Sequence, residues 1–340
     1  MNIEIKEQCK LSDYTTIHLG GIADYLVEVS SIEELKAALQ FSREQTATPP
    51  LVIGGGSNIL FADEGYRGLV IVNRIAGYRI AESENEAMLM AGAGEILDDV
   101  VRRTAESRLW GLENLSSIPG SVGATPVQNV GAYGVEVSSL IKEVKAIHSQ
   151  TLEEKTFANS ECRFSYRDSY FKTPEGKEWI VVEVIFKLRK NFSPILHYGS
   201  LTELSNSEAL TPAEVRTKVQ EIRSEKFPDW NEVGTAGSFF KNPIISKNEF
   251  EELQDKYPEI VGHKVSEEEV KVSLGWILDK VCNLRGYCEG NVCLYEKQAL
   301  VLVVEKGASA TEVNNFVKKI TGLVFEKIKI KIEPEVLILK

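Results

Sequence analysis

The chain has 340 residues, 43% hydrophobic and 26% charged, which suits a globular protein of two or three domains able to bury a core without disulfides or structural metals. Its formal net charge of −11 and pI near 5.1 argue against nucleic-acid or anionic-membrane partners, although a few local arginines and lysines suffice for a small anionic substrate. The start, Met1-Asn-Ile-Glu-Ile-Lys-Glu7, lacks a signal-peptide pattern, and no apolar run approaches the roughly 18 residues of a membrane helix, so a cytoplasmic location is expected.

In chain order, Ser31-Ile-Glu-Glu34 is a capping box that opens a helix with Leu35, Ala38 and Leu39 on one face. Pro49-Pro50 then launches a buried strand, Leu51-Val-Ile53, followed at once by Gly54-Gly-Gly-Ser-Asn58. Residues 68–72 and 87–91 read as strands, and 95–106 as a helix with Ile96, Val100 and Val101 on one face. Asn114 to Val137 reads as a long structureless loop of small, nearly uncharged residues, a kind of segment that is usually functional. Strands are expected at 143–148 and 178–188. Thr211-Pro-Ala-Glu214 caps a helix running to about Lys226. Beyond Phe227 come a helix at 270–283, a strand at 299–304, a helix at 310–326, a strand at 327–332 and an apolar strand after Glu333-Pro-Glu335. Cys282, Cys288 and Cys293 are spaced too widely for a usual zinc site, so no metal is expected and the five cysteines read as reduced thiols.

Several segments carry chemistry. Gly54, Gly55 and Gly56 can aim backbone N–H groups at one point, with Ser57 and Asn58 adding donors; the motif suits phosphate oxygens, or else is an ordinary tight turn. It is neither a Walker loop nor Gly-x-Gly-x-x-Gly. The small residues of 114–137 suit close approach to a neutral ring, or else a buried crossover. Arg167, in Ser165-Tyr-Arg-Asp-Ser169, is an anion-binding candidate or a structural ion pair. Ser238, in Ala236-Gly-Ser-Phe-Phe-Lys-Asn-Pro243, lacks the Gly-x-Ser-x-Gly elbow of a hydrolase and reads as a proton donor, with Lys241 or Asn242 to orient it. Pro334 stiffens Glu333-Pro-Glu335, so that its carboxylates leave the chain in defined directions.

The segment around Ser238, together with Ile118-Pro-Gly-Ser-Val-Gly123, Gln128-Asn-Val-Gly-Ala-Tyr-Gly134, Tyr166-Arg-Asp-Ser169 and Glu333-Pro-Glu-Val336, resembles the UDP-N-acetylenolpyruvoylglucosamine reductase family. The resemblance runs in family order from Thr15-Thr-Ile-His-Leu-Gly-Gly21 to Glu335. Leu337 and Leu339 depart from it, standing where polar or basic residues are common. It implies an α+β fold: a two-part FAD-binding region of the PCMH (vanillyl-alcohol-oxidase-like) type and a C-terminal α/β substrate-binding domain. The implied parts are 1–73 with 327–340, then 74–228, then 229–326. Non-covalent FAD is implied on Gly54–Asn58, Ile118, Pro119, Gly120, Ser121, Gly123, Ala124, Gln128, Gly131 and Tyr133. NADPH is the implied hydride donor, and the enolpyruvyl ether of UDP-N-acetylglucosamine the acceptor. Arg167, Ser238 and Glu335 are implied as catalytic, and Tyr198, Lys226 and Asn242 as substrate-binding. A monomer is implied as well. The competing readings are a flavin oxidase of the same fold, disfavoured by the lack of His or Cys in either flavin loop, and a non-catalytic nucleotide-binding protein.

Overall fold

Helix starts fall where the capping signals place them in the computed structural model, which describes residues 3–207 and 209–339. Ser31 Oγ accepts the Glu34 amide at 3.1 Å while the Glu34 carboxylate accepts from Ser30 N–H, opening helix Ile32–Gln45. Thr211 and Glu214 exchange an equivalent pair of bonds ahead of helix Pro212–Lys226. Each arrangement satisfies amides that a first helical turn leaves without partners. The next helix starts at Leu97 rather than Glu95, because Ile96 stays extended and bridges Ser121 while Glu95 O accepts from Val122 N–H.

Two compact units result. The first comprises the described residues of Met1–Cys9, Ala23–Gly56 and Tyr66–Ser224; the second comprises Lys10–Ile22, Ser57–Gly65 and the described residues of Glu225–Lys340. In the first, strand Tyr66–Asn73 runs parallel to both Ile22–Val29 and Leu51–Ile53, and Leu35, Ala38 and Leu39 of the first helix bury against Val27, Leu69 and Ile71. A five-stranded antiparallel sheet follows, in the order Glu154–Ala158, Ile141–His148, Trp179–Arg189, Glu86–Gly92, Tyr78–Glu82. Alternate residues of its central strand, Val184, Phe186 and Leu188, bury with Leu89, Val100 and Val101.

The second unit holds a four-stranded sheet ordered Gly234–Ser238, Val301–Val304, Val292–Leu294, Cys288–Glu289, and helix Ala310–Ile328. Phe239, Phe240, Leu278, Leu302, Phe316 and Ile320 share its core. The tail strand Leu337–Ile338 pairs in parallel with Ile59–Leu60. In this packing residues 327–339 fall in one unit with 57–65.

Four expectations are corrected. Residues 270–283 are not one helix: Glu269–Val272 is a strand between Ile244–Ser246 and Gly262–Lys264, and only Leu274–Val281 is helical. Here the alternating valines of Val270-Lys-Val272 outweighed the helical spacing further on. No strand forms at 327–332: the helix continues to Ile328 and ends on left-handed Lys329, after which Ile330 and Ile332 bury in the core without a sheet ladder. The span 114–137 is not structureless; it contains tight turns, helix Thr125–Gln128 and a hairpin pairing Gly131–Ala132 with Val135–Glu136. Finally, Cys288 and Cys293 are joined by a disulfide, because the hairpin around Gly290 sets them directly opposite, with Cα atoms 4.1 Å apart.

Candidate active site

In the first unit the glycine turn and the small-residue loop meet backbone to backbone. A Cβ on Gly54 would lie 2.0 Å from Ser121 Oγ, and one on Gly55 would lie 2.9 Å from Gly120 Cα. The loop docks through its main chain: Val122 N–H donates to Glu95 O and Gly123 N–H to Ala93 O, both at 2.9 Å. Gly120 O in turn accepts from Leu97. Gly123 has no room for a side chain, since a Cβ there would sit 2.6 Å from that of Ala93. The surface left by Ile118, Pro119, Gly120, Ser121 and Ala124 is small and uncharged. This donor set fits a diphosphate and a neutral ring, both of which need main chain at close range.

Side chains the sequence reading did not single out hold this loop. Ser117 has left-handed backbone (φ 57°); its N–H donates to Asp98 Oδ1 at 2.5 Å and its carbonyl accepts from Arg223 Nε at 3.2 Å. Arg216 forks onto Asp98 at 2.5 and 2.8 Å. Burial pushes the Asp98 carboxyl up, but the bonds from Arg216 and Ser117 prevail and hold it below the ordinary range. Arg223 also bonds the Tyr133 side chain, and its own pKa is depressed by burial. Asn114 Nδ2 donates to Tyr133 O and Ile195 O, both at 2.8 Å, while its buried Oδ1 has no partner among the described residues. Such an acceptor calls for a donor from outside the chain. Tyr198, 44% exposed, stands edge-on to Tyr133 with ring centroids 6.0 Å apart.

Arg167 occupies the third position of a tight turn closed by reciprocal bonds between Ser165 and Asp168, and its φ of 54° is one that usually takes glycine. Its guanidinium donates to Gly131 O at 2.9 Å and Asn129 O at 3.5 Å. Asn129, left-handed and 1% exposed, donates back to Ser165 O at 2.9 Å, and Ser169 Oγ donates to Val127 O at 2.9 Å. The Tyr-Arg-Asp-Ser turn and the 127–131 segment are thus stitched together. Lys172 completes the seam by donating to Gln128 Oε1 and, at 2.7 Å, to Arg167 O.

The second unit brings together the segments of Ser238 and Glu335. Phe240 bridges Pro334 across antiparallel chain, with Glu335 N–H donating to Phe239 O at 2.8 Å and Lys241 N–H to Glu333 O at 3.0 Å. Ser238 lies just past a bulge: three steps from Thr235 to Ser238 face two steps from Val303 to Val301, and Gly237 (φ 71°) absorbs the extra residue. A bulge of this kind re-aims the next side chain. Behind it Phe239 and Phe240 are fully buried. Asn58, although it follows the glycine turn, belongs to this unit with Ser57; its Nδ2 donates to Glu335 O at 3.3 Å. Asn242 Oδ1 accepts the Leu274 amide at 2.9 Å, so this side chain also caps a helix. Lys226 is exposed at the end of helix Pro212–Lys226.

The comparisons with known proteins agree with this organisation. Residues 23–150 match the model of an FAD binding domain, and residues 229–339 match that of the UDP-N-acetylenolpyruvoylglucosamine reductase C-terminal domain. The chain is therefore a flavoprotein oxidoreductase, with a PCMH-type FAD-binding region followed by a reductase C-terminal domain. UDP-N-acetylenolpyruvoylglucosamine reductases of Porphyromonas gingivalis and Flavobacterium johnsoniae are 37% and 39% identical to it, each alignment covering 98% of this chain and 99% of the relative. The crystal structure of the Thermus caldophilus reductase superposes with a TM-score of 0.70 over the full length of both chains, at 26% identity. The chain belongs to the UDP-N-acetylenolpyruvoylglucosamine reductase family. No helix among the described residues is long and apolar enough to cross a membrane.

Proposed function

We propose that this protein reduces UDP-N-acetylglucosamine enolpyruvate to UDP-N-acetylmuramate, consuming NADPH, in the synthesis of peptidoglycan precursors. The observation that carries the reading in this chain is the pairing of the Ser238 segment with Glu333–Glu335, which sets a hydroxyl and a carboxyl on adjoining stretches of antiparallel chain. Gly54–Asn58 would hold the diphosphate of FAD, and Ile118, Pro119, Gly120, Ser121, Gly123, Ala124, Gln128, Gly131 and Tyr133 its ring side. Bound FAD would supply the redox chemistry, hydride transfer from NADPH to C3 of the enolpyruvyl group.

The chain's own residues manage the charge and the proton. Hydride addition at C3 leaves negative charge on C2, delocalised into the substrate carboxylate. Arg167 meets it with a fixed, forked cation, and Glu335 stabilises the same developing charge beside it. Ser238 donates the proton that completes C2, and the hydroxyl is reprotonated from solvent before the next turnover. Tyr198, Lys226 and Asn242 bind the nucleotide sugar. The protein works as a monomer in the cytoplasm, without nucleic-acid or membrane partners.

Anaerobic stopped-flow absorbance tests this reading. NADPH should bleach the flavin band, and the enolpyruvyl UDP-sugar should restore it promptly. Bleaching without recovery would mean another electron acceptor and would remove the three catalytic roles.

A further inference from the structure

We infer that Lys172 is a positioning residue for Arg167: its ammonium fixes the strained turn that presents the guanidinium and ties that turn to Gln128. The inference rests on the catalytic role proposed for Arg167. A left-handed arginine at the third position of a tight turn is an unfavourable conformation, and it persists only where surrounding bonds over-determine it. The reciprocal Ser165–Asp168 bonds close the turn but leave the carbonyl of its strained residue unused. Lys172 donates to that carbonyl at 2.7 Å from only five positions downstream.

The same ammonium donates to Gln128 Oε1, so one cation joins the turn to the segment that also receives the Arg167 guanidinium at Gly131 O. Arg167 is therefore held at both ends, its main chain by Lys172 and its side chain by the 129–131 carbonyls. The tight turn Tyr170–Lys172, packed on buried Phe171, carries the lysine back under the arginine. A freely solvated lysine would bring neither bond. A lysine on a flexible stem also suits the task, because a compact ammonium can face two carbonyl oxygens in different directions.

The test is Lys172→Met and Lys172→Arg in the FAD-loaded protein, with Arg167→Ala and the double variant alongside. Lys172→Met should keep its flavin and its rate of reduction by NADPH, yet slow reoxidation by the enolpyruvyl substrate about 10- to 100-fold, as a small misplacement of a catalytic group does. Lys172→Arg should recover part of that loss. The double variant should be no slower than Arg167→Ala, because Lys172 acts through the arginine. Independently of turnover, amide hydrogen exchange over 165–169 should quicken in Lys172→Met with or without FAD.

Wild-type reoxidation in Lys172→Met, or losses that multiply in the double variant, would overturn the inference. So would an equal fall in both half-reactions. If Lys172→Met fails to retain flavin, Lys172→Gln carries the test, and wild-type reoxidation there overturns the inference as well. Should Arg167→Ala itself reoxidise normally, the catalytic reading of Arg167 fails, and quickened exchange over 165–169 would still report whether Lys172 holds the turn.

Discussion

The Arg167 turn and the Ser238–Glu335 pairing carry the proposed chemistry in opposite ways. Side chains hold the arginine turn: Asn129, Ser169 and Lys172 reach across to main-chain carbonyls, and Arg167 does the same. Main chain holds the serine and glutamate, through bonds from Glu335 to Phe239 and from Lys241 to Glu333. The first arrangement can be dismantled one side chain at a time. The second, to which only Asn58 adds a side-chain bond in the contacts described above, tolerates side-chain change better and yields most where the backbone itself is altered, at the Gly237 bulge or at Pro334.

The comparison breaks most sharply at the reacting groups. Arg167→Lys keeps the charge but not the fork, and should slow flavin reoxidation by substrate about 10²- to 10³-fold while sparing reduction by NADPH. Ser238→Ala should show the same separation of half-reactions, because its backbone pairing needs no hydroxyl. Equal loss of both half-reactions in single-turnover traces would remove its role as proton donor. Next in size is Gly54→Ala. Its new methyl meets Ser121 Oγ, so FAD affinity, followed by quenching of flavin fluorescence, should fall at least about tenfold, with overpacking costing roughly 1–3 kcal/mol of stability.

Smaller effects sharpen the contrast. Asn58→Ala removes one bond to the Glu335 carbonyl, worth about 1 kcal/mol, and should change reoxidation only a few-fold because the Phe239 bond remains. Glu113 offers a pH test within the first unit. It is 2% exposed, and burial pushes its carboxyl from an ordinary 4.5 to about 7, against a 2.6 Å bond from Gly111 N–H. The folded chain then keeps a proton that the unfolded chain releases, so stability should fall as pH rises from about 4.5 to 7 and level off above. Glu113→Gln should flatten that slope and gain on the order of 2 kcal/mol above pH 7, as read by urea midpoints.

Much of this was legible in the sequence wherever one local signal decides the structure. Capping boxes at Ser31 and Thr211 and the glycine run at 54–56 need only their near neighbours to be interpreted. The tail strand was legible because the apolar run Val336-Leu-Ile-Leu339 continues past Glu335, although only Val336 of it is buried and Leu337 stays 50% exposed. What stayed hidden depends on distant partners. Asp98, Arg216, Arg223 and Lys172 look like solvated charges in sequence, and become parts of the site only through bonds spanning up to 118 positions. The helix expected at 270–283 failed partly for the same reason: the alternating valines at 270 and 272 were a local strand signal, but two neighbouring strands were needed to claim them. The disulfide was missed because its pairing follows from a hairpin register, which spacing alone does not reveal.

The pairing of the tail with Ile59–Leu60 also sets an order of events during synthesis. Asn58 and Glu335 are 277 positions apart, so at ordinary elongation rates the early strand waits roughly 15–55 s for its partner to be made. Until Leu337 and Ile338 have been made, Ile59 and Leu60, both buried in the folded chain, lack the strand they pair with among the described residues. A nascent chain stalled after Ile330 would carry both candidate flavin loops and Ser238 but lack Glu335. Such a chain bears a simple mark: an apolar strand at Ile59–Leu60 still open long after its own residues have been made.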